Sequence, residues 1–246
     1  MIEAGFWALV AASALLIGEA AGILLDLPRR LVSTIMAFGA GALISAVAFD
    51  LTDEAFNRGG TGTLAIGLAV GAISFFAGKR LIERSGGRMH APRTPSDSRT
   101  VVEGNGPAIV LGALLDGVPE SVVLGATLIG GAGIGIPFLV AVFLSNLPEA
   151  ISGSSDLRHE GHRPRWILGL WLAVVLASAI ASALGYLILR DMTGTPLALV
   201  QAFAAGAILT MLADTMVPEA YQNAGDSAGL ATVLGFALAY LLSTVS

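Results

Sequence analysis

Apolar residues gather in long runs along this chain of 246 residues, and short polar segments separate the runs. A helix that crosses a bilayer needs roughly 20 mostly apolar residues. Eight runs meet this requirement, so the pattern predicts an all-α integral membrane protein with eight transmembrane helices in one domain, residues 1–246. The predicted spans are about 4–25, 31–52, 62–79, 106–130, 134–155, 166–189, 196–220 and 227–245.

Composition supports a membrane protein over a soluble one. Hydrophobic residues make up 55% of the chain and charged residues only 13%, whereas soluble domains carry about 25% charged residues. The chain has no cysteine, which excludes disulfide frameworks, thiolate metal sites and cysteine nucleophiles. The N-terminal apolar run lacks the basic segment of a secretory signal, so we interpret it as the first helix.

The basic residues predict how the chain is oriented. One face receives eleven Lys and Arg residues and the other only Arg58 and Arg190. Because cytoplasmic loops carry the excess of Lys and Arg, both termini are predicted to be extracytoplasmic, in the plasma membrane. The polar loop 83–103 is then cytoplasmic.

The chain also contains an internal repeat. The segment 38–45 (FGAGALIS) matches 203–210 (FAAGAILT) at an offset of 165, and the same offset relates 54–56 to 219–221. Spans 1–3 therefore resemble spans 6–8, and an odd number of spans separates the copies, so one copy is inverted. Inverted repeats around a central pair are common in secondary transporters. Coincidence among small residues is the weaker interpretation, because the offset persists through two helices and their loop.

Carboxylates, but no lysines or arginines, are predicted inside the membrane. An ionised carboxylate there costs at least ~2.5 kcal/mol, and without basic partners the group needs protons or bound cations. An anion pathway would be expected to show the opposite charge. These residues are Glu19, Asp50, Asp116, Glu120, Glu149 and Asp214.

Spans 4 and 5 carry the most specific pattern. Asp116 and Glu120 lie four residues apart and share a face of span 4, and Ser145 and Glu149 do the same on span 5 beside Asn146. Carboxylate and amide oxygens on adjacent spans predict an oxygen-rich cation site.

A proline interrupts each of these two sets. Pro119 and Pro148 lack a backbone donor, so the carbonyls of Leu115 and Leu144, four residues earlier, are predicted to be free to join the cation site. One proline alone usually means a kink and one buried acid can be protonated, but a Pro-Glu pair on both spans favours function. For Asp50 and Asp214, a position lining the path and a capping or gate contact remain open. For Glu19, a relay role and a structural hydrogen bond are equally open.

These segments resemble the ZIP family of metal-ion transporters, in its bacterial branch. Members carry His-Asn-x-Pro-Glu-Gly on span 4 and a related motif on span 5, where this chain has DGVPES at 116–121 and SNLPEA at 145–150. The end of span 7, VPEA at 217–220, is similar as well. The resemblance implies a three-two-three inverted plan, a binuclear site for zinc, iron or manganese between spans 4 and 5, and a possible homodimer.

The chain departs from that family pattern at several ligand positions. Asp116 stands in place of the family's histidine, Gly117 in place of asparagine, and Ser145 where histidine or glutamine is frequent. Leu43 lies near a position where some members have methionine, and the usual histidine-rich loop is reduced to His90. Only oxygen ligands remain, and these suit harder cations than zinc. We therefore expect a preference shifted towards Mn²⁺ or Fe²⁺.

The sequence thus predicts a divalent metal-ion importer, with no resident cofactor and no nucleic-acid partner. Its predicted metal ligands are Asp116, Glu120, Asn146, Glu149 and, more weakly, Ser145. The alternative is a homologue that has lost transport and acts as a metal sensor or partner subunit. An intramembrane enzyme that uses paired carboxylates ranks lowest, because no nucleophile motif is present.

Overall fold

The computed structural model describes residues 1–84, 106–129 and 134–245, and all regular secondary structure in these ranges is helical. From residue 85 onwards, the predicted cytoplasmic loop, with His90, lies outside the described residues. The helices are α1 (Ile2–Leu24), α2 (Arg29–Ala46), α3 (Asp53–Arg84), α4 (Gly106–Thr127), α5 (Ile136–His159), α6 (Pro164–Leu189), α7 (Thr195–Met211), α8 (Val217–Ala224) and α9 (Ser227–Val245). π-Helical turns at Val47–Thr52 and Leu212–Met216 join α2 to α3 and α7 to α8.

Six helical stretches among the described residues are long and apolar enough to cross a membrane. One of them, Arg29–Arg84, has 56 residues and is interrupted at Gly60; at about 1.5 Å per residue its parts together measure roughly 84 Å, against a hydrocarbon thickness of ~30 Å. α4, with 22 residues, is not among the six. Eight spans therefore require that Arg29–Arg84 crosses twice and that α4 crosses as well.

The connection between the second and third predicted spans, residues 53–61, is largely helical. Helix α3 begins at Asp53 and departs from helical geometry only at Gly60, where φ is 71°. Asn57 donates to Asp53 (2.9 Å) and Arg58 to Glu54, each across one helical turn. Pairs of this spacing stabilise a helix, and they carry the helix through a segment too polar to be a span.

The two π-helical turns occupy equivalent positions in the repeat, since Val47 and Leu212 are 165 residues apart. π-Helical turns are rare and are frequent at functional sites. The second turn precedes Pro218, which has no N–H to donate to the carbonyl of Asp214 four residues earlier. The π-helical turn thus widens the backbone at Asp214.

The helices pack as two groups. The first helix group contains α1, α4, α5 and α6, in which α1 packs on α5 and α6, and α4 packs on α6. The second helix group contains α2, α3, α7, α8 and α9, in which α3 packs on α7 and α2 on α9. The groups meet mainly where α2 packs on α5, and the largest apolar cluster, with Leu43, Phe138 and Ile208, spans that boundary.

The second helix group contains two equivalent backbone contacts. A Cβ atom added at Gly71 would lie 1.9 Å from the carbonyl oxygen of Phe203, and one added at Gly235 would lie 1.9 Å from that of Phe38. The two phenylalanines are 165 residues apart and the two glycines 164. Only glycine fits at either position, so the repeat seen in the sequence recurs as a repeated helix–helix contact.

Candidate metal site and the adjoining cavities

A small cavity lies inside the first helix group, between α1, α4, α5 and α6. Its volume is ≈ 10 Å³, which is about the smallest space that holds one water molecule. The polar residues on its wall come from α4, α5 and α6. They are Glu120, Ser121, Asn146, Glu149 and Ser178.

Three of the predicted ligands, Glu120, Asn146 and Glu149, line this small cavity. Glu120 is 3% exposed and Asn146 7%. Asp116 is 8% exposed, and its Oδ1 atom accepts no hydrogen bond. Its carboxylate lies close enough to Glu120 and Glu149 for the charges to repel. The structure thus brings four of the five predicted ligands into one buried region.

The fifth predicted ligand, Ser145, is not among the residues that line the small cavity. Its buried hydroxyl donates to the carbonyl of Val142 on its own helix, over 2.9 Å. The carbonyl of Leu144, which Pro148 frees, faces α2, where a Cβ on Gly39 would lie 2.8 Å from the oxygen. Helix packing, rather than the small cavity, surrounds both groups.

The carboxylates lie near one another, but they do not converge on one point as the ligands of a single ion would. Glu149 lies within electrostatic range of Asp116, Glu120 and Glu219. No three His, Cys, Asp or Glu side chains converge tightly enough to hold one ion in the described part of the chain. Four like charges repel one another, so an ion between them would have to draw them closer.

A much larger cavity, of ≈ 370 Å³, lies between the two helix groups. The ends of α1, α3 and α5, the start of α2, the second π-helical turn and α8 form its wall. Its charged lining is Arg29, Lys79, Glu83, Asp156, Asp214 and Glu219. Glu149 lines the small cavity and Ser152 the large one, so about one turn of α5 separates the two.

An ion pair lies on the wall of the large cavity. Lys79 Nζ is 3.3 Å from a carboxylate oxygen of Asp214 and donates over 3.3 Å to the backbone carbonyl of the same residue. Pro218 provides no donor to that carbonyl. The expectation that the intramembrane carboxylates lack basic partners is therefore wrong for Asp214, because α3 continues to Arg84 and carries Lys79 within the bundle.

The carboxylate of Glu219 accepts a hydrogen bond that the sequence did not predict. Ser152 on α5 donates a hydrogen bond to Glu219 Oε1 over 3.1 Å. The repeat equivalent of Glu219 is Glu54, which accepts from Gln201 over 2.6 Å and pairs with Arg58. The repeat offset relates Glu54 to Glu219. It does not predict that Glu219, and not Glu54, lies within electrostatic range of Glu149.

The remaining acids that were predicted to lie inside the membrane are outside both cavities. Asp50 is in the first π-helical turn, and its Oδ2 atom is buried without a hydrogen bond. Glu19 is 6% exposed and lies on α1 between Leu15, which lines the small cavity, and Gly22, which lines the large one. Their roles stay open. Ser121 and Ser178 line the small cavity although no sequence signal selected them.

Comparison with known proteins gives one distant relative. No family model matches the chain. Over 191 residues it is 24% identical to a protein of Arabidopsis thaliana named "Putative zinc transporter", and the match covers 76% of this chain. The chain spans only 30% of the length of that relative. Together with the six apolar helices, this similarity indicates a multi-pass membrane protein.

Proposed function

We propose that this protein is a divalent metal-ion transporter that imports Zn-, Mn- or Fe-type cations. The ligands are Asp116, Glu120, Asn146 and Glu149, with Ser145 as the weakest member of the set. The observation that carries the proposal is the group of acids around the small cavity, in helices that are largely apolar. Glu120 and Asp116 are buried, and Asp116 Oδ1 has no hydrogen bond. Burying several charges of one sign is costly unless a cation compensates them.

The two cavities support a path for the ion. The small cavity is separated by about one turn of α5 from the large one. Glu219 belongs to the large cavity and lies within electrostatic range of Glu149. An ion leaving the small cavity would thus pass from one carboxylate to the next. The large cavity opens at the helix ends where the basic residues cluster, so it faces the cytoplasm in the proposed orientation.

The transmembrane plan is eight spans in an inverted three-two-three arrangement, with extracytoplasmic termini in the plasma membrane. Two structural equivalences support this plan. The π-helical turns at Val47 and Leu212 share the repeat offset, and the Phe203–Gly71 contact has its counterpart in Phe38–Gly235. This plan, the motif on spans 4 and 5 and the distant zinc-transporter relative favour membership of the ZIP family. A homodimer also remains a proposal.

Metal preference is proposed to favour Mn²⁺ or Fe²⁺ over Zn²⁺. The polar residues that line the small cavity offer only oxygen and amide groups, and Asp116 stands where the ZIP motif has histidine. Zinc binds well to nitrogen and sulfur, whereas carboxylates suit manganese and magnesium. The name of the plant relative mentions zinc, so selectivity is a point on which the two proteins are expected to differ.

The direct test is metal accumulation in cells that express wild type, Glu120→Ala or Glu3→Ala at equal membrane abundance. Glu3 is an exposed carboxylate at the start of α1, so it controls for loss of one negative charge. Elemental analysis should show one or more of zinc, manganese, iron, cobalt and cadmium accumulating with wild type and Glu3→Ala, and background levels with Glu120→Ala. Equal levels in all three and in empty cells would contradict import.

The second candidate is a transport-inactive homologue that acts as a metal sensor or partner subunit. Two observations favour it: no three acidic or histidine side chains converge among the described residues, and the Ser145 hydroxyl is already bonded to Val142. As a partner subunit, the purified protein would bind no divalent ion with useful affinity; as a metal sensor, it would bind metal without raising accumulation in cells. Calorimetric titration with Mn²⁺ and Zn²⁺, together with the accumulation assay, separates these candidates from a transporter.

A further inference from the structure

Lys79 is the single lysine of the chain, and all other basic residues except histidine are arginines. It lies on α3 with its side chain 18% exposed, and its ammonium group lines the large cavity. A lysine ammonium is a compact charge with three donors on a flexible stem, whereas an arginine is a rigid planar fork. A lysine can therefore leave and regain an acceptor by turning its stem.

The ammonium of Lys79 lies between the two helix groups. It contacts Asp214 of the second helix group at 3.3 Å and attracts Asp116 of the first helix group electrostatically. Asp116 is one of the proposed metal ligands, and Asp214 belongs to the wall of the large cavity. One positive charge on the wall of the large cavity thus acts on carboxylates of both helix groups.

Stability alone gives a weak reason for this ion pair. Asp214 is 39% exposed to the cavity, and ion pairs open to water contribute little to folding because both charges stay hydrated. The acceptors nevertheless fit a cation closely, since the carboxylate and the carbonyl that Pro218 leaves without its usual donor both face the ammonium. The same two oxygens are hard ligands of the kind that divalent cations use.

The ion pair between Lys79 and Asp214 has no counterpart at the equivalent positions of the repeat. The offsets of 165 and 164 that relate the two halves carry Asp214 onto Phe49 and Lys79 onto Ser243. Phe49 packs against Phe236 and Tyr240, with ring centroids 5.9 Å and 4.9 Å away. Aromatic packing thus takes the place of the ion pair there, so among the described residues the ion pair belongs to one half of the repeat alone.

We propose that Lys79 is a tethered counter-cation that competes with the transported metal. This inference rests on the proposed function. Without metal, its ammonium neutralises Asp214 and attracts Asp116. A divalent ion that moves from the small cavity into the large one displaces the ammonium of Lys79 from Asp214. When the ammonium returns to Asp214, it expels the ion. Lys79 thereby lowers metal affinity on the large-cavity side and favours release over rebinding.

The first test is metal affinity of the purified full chain in detergent, titrated with Mn²⁺ alone and with Zn²⁺ alone. Lys79→Met removes the competing charge, and should bind the better metal about tenfold more tightly than wild type. Arg80→Met is the matched control, because Arg80 is the adjacent cation and lies over the ring of Phe76 at 4.6 Å. It should bind like wild type.

The second test needs no substitution. Lys79 and the amino group of Met1 are the amines of the chain, so an amine-reactive reagent followed by peptide mass spectrometry reports on each separately. Saturating Mn²⁺ should raise the labelling of Lys79 several-fold and leave Met1 unchanged. Sodium chloride at equal ionic strength controls for screening and should have a smaller effect.

The outcomes separate the inference from the proposed function. If wild type binds metal, Lys79→Met binds it equally or more weakly and labelling of Lys79 does not rise, the proposed role of Lys79 as a counter-cation is wrong. The proposed transporter function is not contradicted by that result. If neither wild type nor variant binds either metal, the proposed transporter function fails and the counter-cation fails with it. Tighter binding by Lys79→Met together with metal-dependent labelling supports both.

Discussion

Ser152 on α5 donates a hydrogen bond of 3.1 Å to Glu219 on α8, and so joins the two helix groups across the large cavity. Ser152 is three residues beyond Glu149 on the same helix, and Glu149 lies within electrostatic range of Glu219. The hydroxyl thus fixes the position of one carboxylate relative to another. In the proposed path, this carboxylate is the next acceptor after the small cavity.

Ser152→Ala is expected to slow uptake of the transported metal without abolishing binding. A hydrogen bond to a charged group contributes about 1.5–3 kcal/mol, and part of it positions Glu219 as the next ligand, so the initial rate should fall about three- to tenfold. Ser152→Thr keeps the hydroxyl and should retain most of the rate. Equal rates in Ser152→Ala and wild type would show that the bond only joins the helices.

Asp116→His is expected to shift selectivity towards zinc. The substitution replaces an oxygen ligand by an imidazole nitrogen, which zinc prefers to a greater degree than manganese does. Accumulation of the two metals, measured from one medium, should give a zinc-to-manganese ratio several-fold above that of wild type. Asp116→Asn removes the charge without adding an imidazole and controls for the loss of the carboxylate. An unchanged ratio in Asp116→His would refute the argument from ligand hardness.

Gly235→Ala is expected to destabilise the protein by about 1–3 kcal/mol or more, because overpacking forces neighbouring backbone apart. The new Cβ would lie 1.9 Å from the carbonyl oxygen of Phe38, whereas a Cβ at Gly229 on the same helix would meet nothing within 4 Å. Gly229→Ala should therefore be neutral or slightly stabilising. Thermal unfolding in detergent compares the two, and equal midpoints would contradict the close α2–α9 contact.

Single cysteines are expected to report the sidedness of the spans. The chain has no cysteine of its own, so an impermeant maleimide has no background target. Thr61→Cys, beside the break at Gly60, should react on intact cells. His159→Cys, at the end of α5, should react only after permeabilisation. Labelling of both residues from the same side would rule out the eight-span plan with extracytoplasmic termini.

The sequence predicted a helical membrane protein because long apolar runs have few other solutions. Its repeat was visible because small residues recur at a fixed offset, and the same offset relates Phe38 to Phe203 at their glycine contacts. The pattern also placed Glu120, Asn146 and Glu149 beside one another, and the structure brings them to one cavity. As metal ligands they stay predictions.

Other features depend on contacts that spacing along the chain does not show. Ser145 lies at the predicted helix position, but its hydroxyl bonds to Val142, a local competition that serines often enter. Lys79 stood at the end of a predicted span and was assigned to the cytoplasmic face. Its partner Asp214 is 135 residues away in sequence, and the π-helical turn that presents that residue has no hydrophobic period of its own.

The glycine contacts make the second helix group mechanically stiff. The oxygen of Phe38 occupies the space where a Cβ of Gly235 would be, so sliding α9 along α2 by one turn, about 5.4 Å, would bring the Cβ of Ala231 or Ala239 against that carbonyl. The α3–α7 pair resists sliding for the same reason at Gly71. In the proposed transporter, α2 and α9 are therefore expected to move together, and so are α3 and α7.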